Sequence, residues 1–400
     1  MVLTDLRKDL DPVEGVHCVF GGHEDEHLAA DFVVVSPGVP ASAPPVKKAQ
    51  ESGAVVLGEL AFAASFLPPE RPLIAVTGTN GKSTVTSFTA QLLQASGLRT
   101  FAGGNLGTPL SAAVGGSFDA YVVEVSSYQL ELPGTFTPSA AAVLNLTPDH
   151  LARHGTMECY AEHKCRVFDH MSEGAFALIP HDAPKLRAAA DGRGGRRLWI
   201  GAQPGVTLEG EGVRIGETFV DLSGLQVLGR HNRLNAGVAC VLAHGAGLDL
   251  SLLETEHLRG LPHRMEPVHT DDGLLWVNDS KATNVHAVLA TLSGLDRPVI
   301  LLLGGQGKRG ADYSVLTPLL LKHRGVVCFG ASGGEIAAAL NGSVLGLASG
   351  LEEAVAVARK AARPGEAIVL SPACASFDEF TDFEHRGDTF RALARSYRWV

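Results

Sequence analysis

Seven apolar runs of strand length punctuate the chain: DFVVVSPG (31–38), LIAVTG (73–78), AYVVEVSS (120–127), AAAVLNLT (140–147), VILLLGG (299–305), GVVCFGAS (325–332) and EAIVLSPA (366–373). Each is dense in apolar residues and is closed by Gly, Ser, Thr, Pro or Ala, with little polar alternation. A strand that is apolar on both faces has to be covered on both faces, and a parallel sheet flanked by helices provides that cover. The longer amphipathic stretches between the runs supply the helices. The expected class is therefore α/β with mostly parallel sheets.

A chain of 400 residues exceeds what one core usually organises, so two or three domains are expected. Two punctuated stretches suggest the boundaries. LPPERP (67–72) ends just before one apolar run, and LRGLPHRME (258–266) precedes a new strand-like segment, GLLWVNDS (273–280). They divide the chain into 1–67, 68–260 and 261–400. Within 192–230, short alternating segments around VTLEGEGVRIGETFVDL read as small antiparallel strands.

The formal net charge of −10 argues against nucleic acid as a partner, because that binding is driven largely by Lys and Arg on phosphates. No apolar run reaches the roughly 18 residues a membrane helix needs, and no signal peptide opens the chain. A cytoplasmic protein with no membrane association, acting as a monomer on small molecules, is expected. The six cysteines are scattered and read as reduced core thiols. A cluster of His150, His154, Cys159, His163 and Cys165 lacks the C-x-x-C spacing of a zinc ribbon, and no structural zinc is expected from it.

Chemistry concentrates where the runs end. In AVTGTNGKSTVT (75–86) an apolar run leads through Gly78, Thr79, Asn80 and Gly81 into Lys82, Ser83 and Thr84 at the start of a helix-like stretch. Backbone N–H groups, the helix dipole and the Lys82 ammonium make such a loop an anion cradle, with the Ser83 hydroxyl able to ligate magnesium. The strict P-loop pattern would place glycine at position 76, where Val76 stands. Glu124 interrupts the apolar run VVEV, where a carboxylate has to be paired or metal-bound; one strand from the loop, it suits a magnesium ion shared with Ser83. Asp149 and His150 follow another run, and His150 reads equally as a ligand, a base or a hydrogen-bonded surface group. In the last third, NDSKATN (278–284), GGQGKRGADY (304–313) and SPACASFDEFTDFEHRG (371–387) offer Lys281, Thr283, Lys308, Ser376 and Arg386 to carboxylates or phosphates. Together they describe a second binding surface.

In that order SPGV, GTNGKST, GGNLG, EVSSYQLE, LNLTPDH, GRHNRLNA, LPHRME, NDSKATN, GGQGK and SPACASFDEF make the chain resemble the Mur ligase family over nearly its whole length. The family's loop reads G-T-N-G-K-[ST], which accounts for Val76. The resemblance implies a central P-loop ATPase domain (68–260) between an N-terminal UDP-substrate domain (1–67) and a C-terminal amino-acid domain (261–400), both Rossmann-like. It implies ATP, two magnesium ions and carbon dioxide held as a carbamate on Lys164, and as substrates UDP-N-acetylmuramoyl-L-alanine and D-glutamate.

Residue by residue, the resemblance gives catalytic roles to Lys82, Glu124, His150 and Lys164, the metals falling to Ser83, Glu124, His150 and carbamylated Lys164. ATP falls to Gly78 through Thr84 with Asn232, Asn235, Arg264, Asp279 and Lys281. Asp5, Arg7, Ser36 and Gly38 face the UDP moiety, Asn105, Ser126 and Gln129 the rest of that substrate, and Thr283, Lys308, Ser376 and Phe383 the incoming amino acid. The family's first strand, glycine-rich turn and helix are expected to be missing from the N-terminal domain, since only four residues precede Asp5, through either a start codon assigned too late or a truncated domain.

The implied reaction is phosphorylation of a carboxylate, then attack of an amine on the acyl phosphate, in a cleft that closes against water. Alternatives are a related amino-acid ligase, such as a folylpolyglutamate-type or diaminopimelate-adding enzyme, or a P-loop ATPase that acts as a switch or transport motor.

Overall fold

The computed structural model describes residues 1–225 and 227–396, so the last four positions of the expected span 261–400 lie outside it. It divides into two compact units, Met1–Val206 with Val238–Leu253, and Thr207–Gly237 with Glu254–Val400.

The first unit opens with two separate pairs of parallel strands, β1 (Val2–Asp5) with β2 (His17–Phe20) and β3 (Phe32–Val35) with β4 (Val55–Gly58). A larger sheet follows, built from β5 (Leu73–Thr77), β6 (Thr100–Gly104), β7 (Ala120–Glu124), β8 (Ala140–Val143), β9 (Phe176–Pro180), β10 (Arg196–Ile200) and β11 (Gly205–Glu209) in the spatial order 11-10-9-8-5-7-6. Every pairing described among these seven strands is parallel. Strands β5, β7 and β8 are buried at every residue, as the unbroken apolar runs require.

The second unit carries a short antiparallel hairpin, β12 (Gly212–Ile215) with β13 (Thr218–Asp221). Its main sheet uses β14 (Glu266–Val268), β15 (Leu275–Asn278), β16 (Val299–Gly304), β17 (Gly325–Phe329), β18 (Val344–Ala348) and β19 (Ala367–Ala373) in the order 14-15-19-16-17-18, with β14 alone antiparallel. The period of two is explicit in β16. Val299, Leu301 and Leu303 pack with Val285, Val288 and Leu292 of the helix Val285–Ser293. Ile300 and Leu302 face the other way, onto Leu351, Ala354, Val355 and Ala358 of one helix and Phe390 and Ala394 of another. Each fully buried aliphatic side chain of this kind contributes about 1.5–3 kcal/mol.

All seven runs contain strands, and the class is α/β with mostly parallel sheets. Within 192–230 the expected antiparallel strands are borne out by the hairpin of β12 and β13, whereas β10 is a correction, pairing in parallel with β9 along its whole length and with β11. Short alternating segments announce strands half covered on one face, but strand direction depends on the neighbour. The six cysteines are all free thiols, four of them buried.

Candidate functional site

The chemistry of the first unit gathers at the carboxyl ends of four neighbouring strands, β8, β5, β7 and β6, where an open parallel sheet presents its loops. The loop after β5 needs glycine twice. Gly78 has φ +146° and Gly81 φ +83°, and a Cβ on Gly78 would stand 3.1 Å from the Leu144 side chain. Gly81 then starts the helix Lys82–Ala95, which directs its positive dipole end at the loop. Lys82 donates from Nζ to the carbonyls of Gly78 (3.1 Å) and Thr79 (2.9 Å).

Asn145, just past β8, braces this loop. Its Oδ1 accepts from the amides of Thr79 (3.1 Å) and Asn80 (2.9 Å), and its Nδ2 donates to the Asn80 carbonyl (2.9 Å). Thr79 Oγ1 donates to the carbonyl of Thr147, accepts from its amide and lies 3.3 Å from the Tyr160 hydroxyl. Asn145 lies within the LNLTPDH motif, which by itself gives it no role; the signal for one is an Asn immediately after a buried run. Asn145→Ala is expected to weaken binding of an ATP analogue about tenfold, or about 1.4 kcal/mol, read by calorimetric titration. Unchanged affinity would mean that the loop supports itself.

Glu124 ends β7 and is 3% exposed. Its two carboxylate oxygens accept from neutral groups, the Ser83 hydroxyl and Asn105 Nδ2, the latter at 2.6 Å. Asn105 is fixed in turn by a backbone bond to the Glu124 carbonyl at 2.8 Å. Thus Ser83, Glu124 and Asn105, from three strand ends, converge as an oxygen-rich cluster beside the loop.

Lys164 is 1% exposed. Its Nζ donates to the Gly78 carbonyl at 2.8 Å and lies 4.4 Å above the Tyr160 ring. Burial, and next the Lys82 ammonium, drive its pKa well below that of an ordinary lysine, so the neutral amine is favoured. Burial pushes the Tyr160 phenol up to about 12 and holds His154 down at about 4. His150 adopts φ +55°, lies 3.1 Å from the Tyr128 hydroxyl through Nδ1 and stays exposed beside Asp149.

Ser126 and Gln129 bind each other, the Ser126 amide and hydroxyl donating to Gln129 Oε1 at 2.9 and 3.0 Å. Gly38 accepts from Arg153, which also forms a two-pronged pair with Glu131 at 2.7 and 2.9 Å. Glu131 caps the amide of Ala41, so Ser36–Gly38 is anchored to the segment after β7. Asp5 and Arg7 pair at the end of β1, holding the Asp5 carboxyl near 2.

In the second unit the loops after β15, β19 and β16 leave the same edge of three adjacent parallel strands, and Gln306 and Ala375 exchange backbone bonds at 2.9 Å. Lys281 places Nζ 3.6 Å from the centre of the Phe383 ring, bringing together two of the expected residues. Thr283 and Lys308 lie in the loops after β15 and β16, and Arg264 precedes β14. Ser376 is buried in the loop after β19. Asp279 is buried, accepting from Thr291 (2.5 Å), Ser371 (2.9 Å) and the Met265 amide (3.2 Å), and burial raises its pKa to about 6. Asn232 donates to the Leu228 carbonyl and accepts from Asn235.

Arg386 is a correction. It is fully buried, donating to Ser280 Oγ and to the carbonyls of Ser280, Cys374 and Ala375. It clamps two loops together instead of offering a cation to a ligand, which a charge count along the sequence could not reveal.

A phosphate-cradling loop with a buried carboxylate at the next strand end defines a P-loop enzyme of the α/β class. Residues 76–243 match the Mur ligase middle domain and residues 263–374 the Mur ligase glutamate ligase domain. Two proteins called UDP-N-acetylmuramoylalanine–D-glutamate ligase, from Desulfosudis oleivorans and Myxococcus xanthus, are each 41% identical to the chain, covering 94% and 92% of it and 85% and 84% of their own lengths. The chain belongs to the Mur ligase family. A solved MurF ligase from Thermotoga maritima, in complex with ADP, shares the fold with a TM-score of 0.66 at 18% identity over 92% of this chain and 98% of its own.

Proposed function

We propose that the protein is an ATP-dependent, ADP-forming ligase that adds D-glutamate to UDP-N-acetylmuramoyl-L-alanine in the synthesis of peptidoglycan precursors. The observation that carries ATP-dependent chemistry is the convergence of Ser83, Glu124 and Asn105 beside the cradle of Gly78–Lys82. D-Glutamate as the added amino acid is supported by the relatives that bear that name at about 40% identity over most of the chain. The substrate carboxylate takes a phosphoryl group, and the amine of the amino acid then displaces phosphate from the acyl phosphate.

Magnesium fits the residues present. Glu124 is a buried carboxylate whose bonds come only from neutral donors, and hard divalent cations take such oxygens. Ser83 and Glu124 would hold one ion, with His150 and a carbamate on Lys164 toward a second; bound magnesium supplies charge neutralisation for a carboxylate approaching a triphosphate. The chain's own groups do the rest. Lys82 and the dipole of its helix receive the charge of the transferring phosphoryl group, and Asn145 keeps their loop in shape. Asn105, Ser126 and Gln129 line the approach of the muramoyl substrate, with Asp5, Arg7, Ser36 and Gly38 toward its UDP end. Asn232, Asn235, Arg264, Asp279 and Lys281 serve the nucleotide, and Thr283, Lys308, Ser376 and Phe383 the D-glutamate. We assign residues 1–67, 68–260 and 261–400 to three domains, a division supported by the separate family matches of the last two. Action as a cytoplasmic monomer is part of the same reading; among the described residues no helix is long and apolar enough to cross a membrane.

The deciding assay is ADP and phosphate release with UDP-N-acetylmuramoyl-L-alanine across a panel of amino acids. D-Glutamate should give the large stimulation; stimulation by L-glutamate or meso-diaminopimelate instead, or turnover without any amino acid, overturns the assignment. Glu124→Gln should raise the magnesium concentration needed for half-maximal rate, because a neutral amide is a weaker ligand for a hard cation. An unchanged magnesium titration would leave Glu124 a structural acid.

A further inference from the structure

His154, Cys159 and His163 each bring one potential ligand atom within 4.8 Å of the other two. Cys159 and His163 lie one turn apart on the helix Met157–Cys165, so they share a face, and Cys159 Sγ is 3.5 Å from His163 Nδ1. That Nδ1 also lies 2.8 Å from the Cys159 carbonyl, a bond that a metal on Nδ1 would replace and that a metal on Nε2 would leave in place. His154 enters from the end of the preceding short helix, Leu151–His154. Its Nε2 is 2.9 Å from the Ser127 hydroxyl, whereas its Nδ1 is buried with no hydrogen-bond partner. An orphaned ring nitrogen is costly to bury, and metal coordination removes that cost.

Two of the five cluster members named from the sequence drop out. Cys165 is fully buried with its thiol directed to the Leu186 carbonyl, and His150 is engaged with Tyr128.

We propose that His154, Cys159 and His163 form a zinc site with three protein ligands and a fourth position open to solvent, distinct from the oxygen-lined magnesium positions at Ser83 and Glu124. The donor set selects the ion. One thiolate and two imidazoles suit a borderline-soft divalent metal, while magnesium favours carboxylates and water. Solvent access comes from Cys159 and His163, both only partly buried. The site also touches the catalytic region: the His154 ring stacks on Tyr160 at 5.1 Å, and the Tyr160 hydroxyl lies 3.3 Å from Thr79 of the phosphate loop.

The test uses purified protein freed of metal with a chelator and titrated with cobalt(II) in excess magnesium. One equivalent should bind and produce a thiolate-to-cobalt charge-transfer band with the intense visible bands of a four-coordinate ion. Cys159→Ser should abolish the charge-transfer band, and His163→Ala should weaken zinc binding by at least about tenfold. Both positions are partly exposed, so the melting temperature without metal should not change. Independently, zinc should protect Cys159, but not Cys18, from alkylation, read by peptide mass mapping. Absence of a thiolate band in the unmodified protein, its persistence in Cys159→Ser, or equal alkylation of Cys159 with and without zinc overturns the site.

Discussion

Lys82→Ala is expected to fold normally and to lose at least about 10²-fold in kcat, because it removes one preorganised cation from the transferring phosphoryl group. The structure explains why the fold should survive. Among the described residues Lys82 lies in none of the packed apolar clusters, and its ammonium donates to carbonyls of its own loop, those of Gly78 and Thr79. Circular dichroism and the melting transition should therefore match the unmodified protein while single-turnover phosphoryl transfer collapses. Near-normal turnover would remove the loop from the mechanism.

Replacing Lys164 with Ala should cut activity by about 10- to 100-fold or more, with partial recovery on adding formate or acetate. The reasoning starts from burial. A lysine 1% exposed cannot be a solvated surface group, and its lowered pKa keeps the amine available to add carbon dioxide. A carbamate formed there would be an anion, and a small carboxylate would fit the space left by the shortened side chain. The pH sign follows from the same chemistry. Acidification protonates the amine and drives carbamate back to carbon dioxide, so activity in carbon-dioxide-free buffer should fall most at mildly acidic pH and return with bicarbonate. Full activity in Lys164→Ala, or failure of bicarbonate to restore the stripped enzyme, would make the lysine structural.

How much of this was legible beforehand depended on sequence distance. The seven apolar runs announced buried parallel strands because their composition is a local consequence of cover on both faces. The phosphate loop was equally local: two glycines with positive φ, then Lys and Ser at a helix start, occupy one stretch of chain. Glu124 was readable because a carboxylate inside an apolar run contradicts its surroundings and so calls for a partner. The direction of β10 was not, since alternation reports exposure and not the neighbour's orientation.

Other features were set only by packing between distant segments. Lys164 donates to Gly78, 86 positions away; Asn145 braces Asn80 from 65 positions away; Arg386 clamps Ser280 across 106. Taken residue by residue, apart from the family resemblance that singles out Lys164, these are an ordinary lysine, asparagine and arginine. The sequence by itself determined the α/β class, the anion-binding loop and the set of polar groups at strand ends, because each rests on short-range periodicity or turn chemistry. The tertiary structure alone decided which cations are buried, which asparagine supports the loop and which three histidine and cysteine side chains meet, because burial and hydrogen-bond partnership are properties of the assembled sheet and not of any single segment.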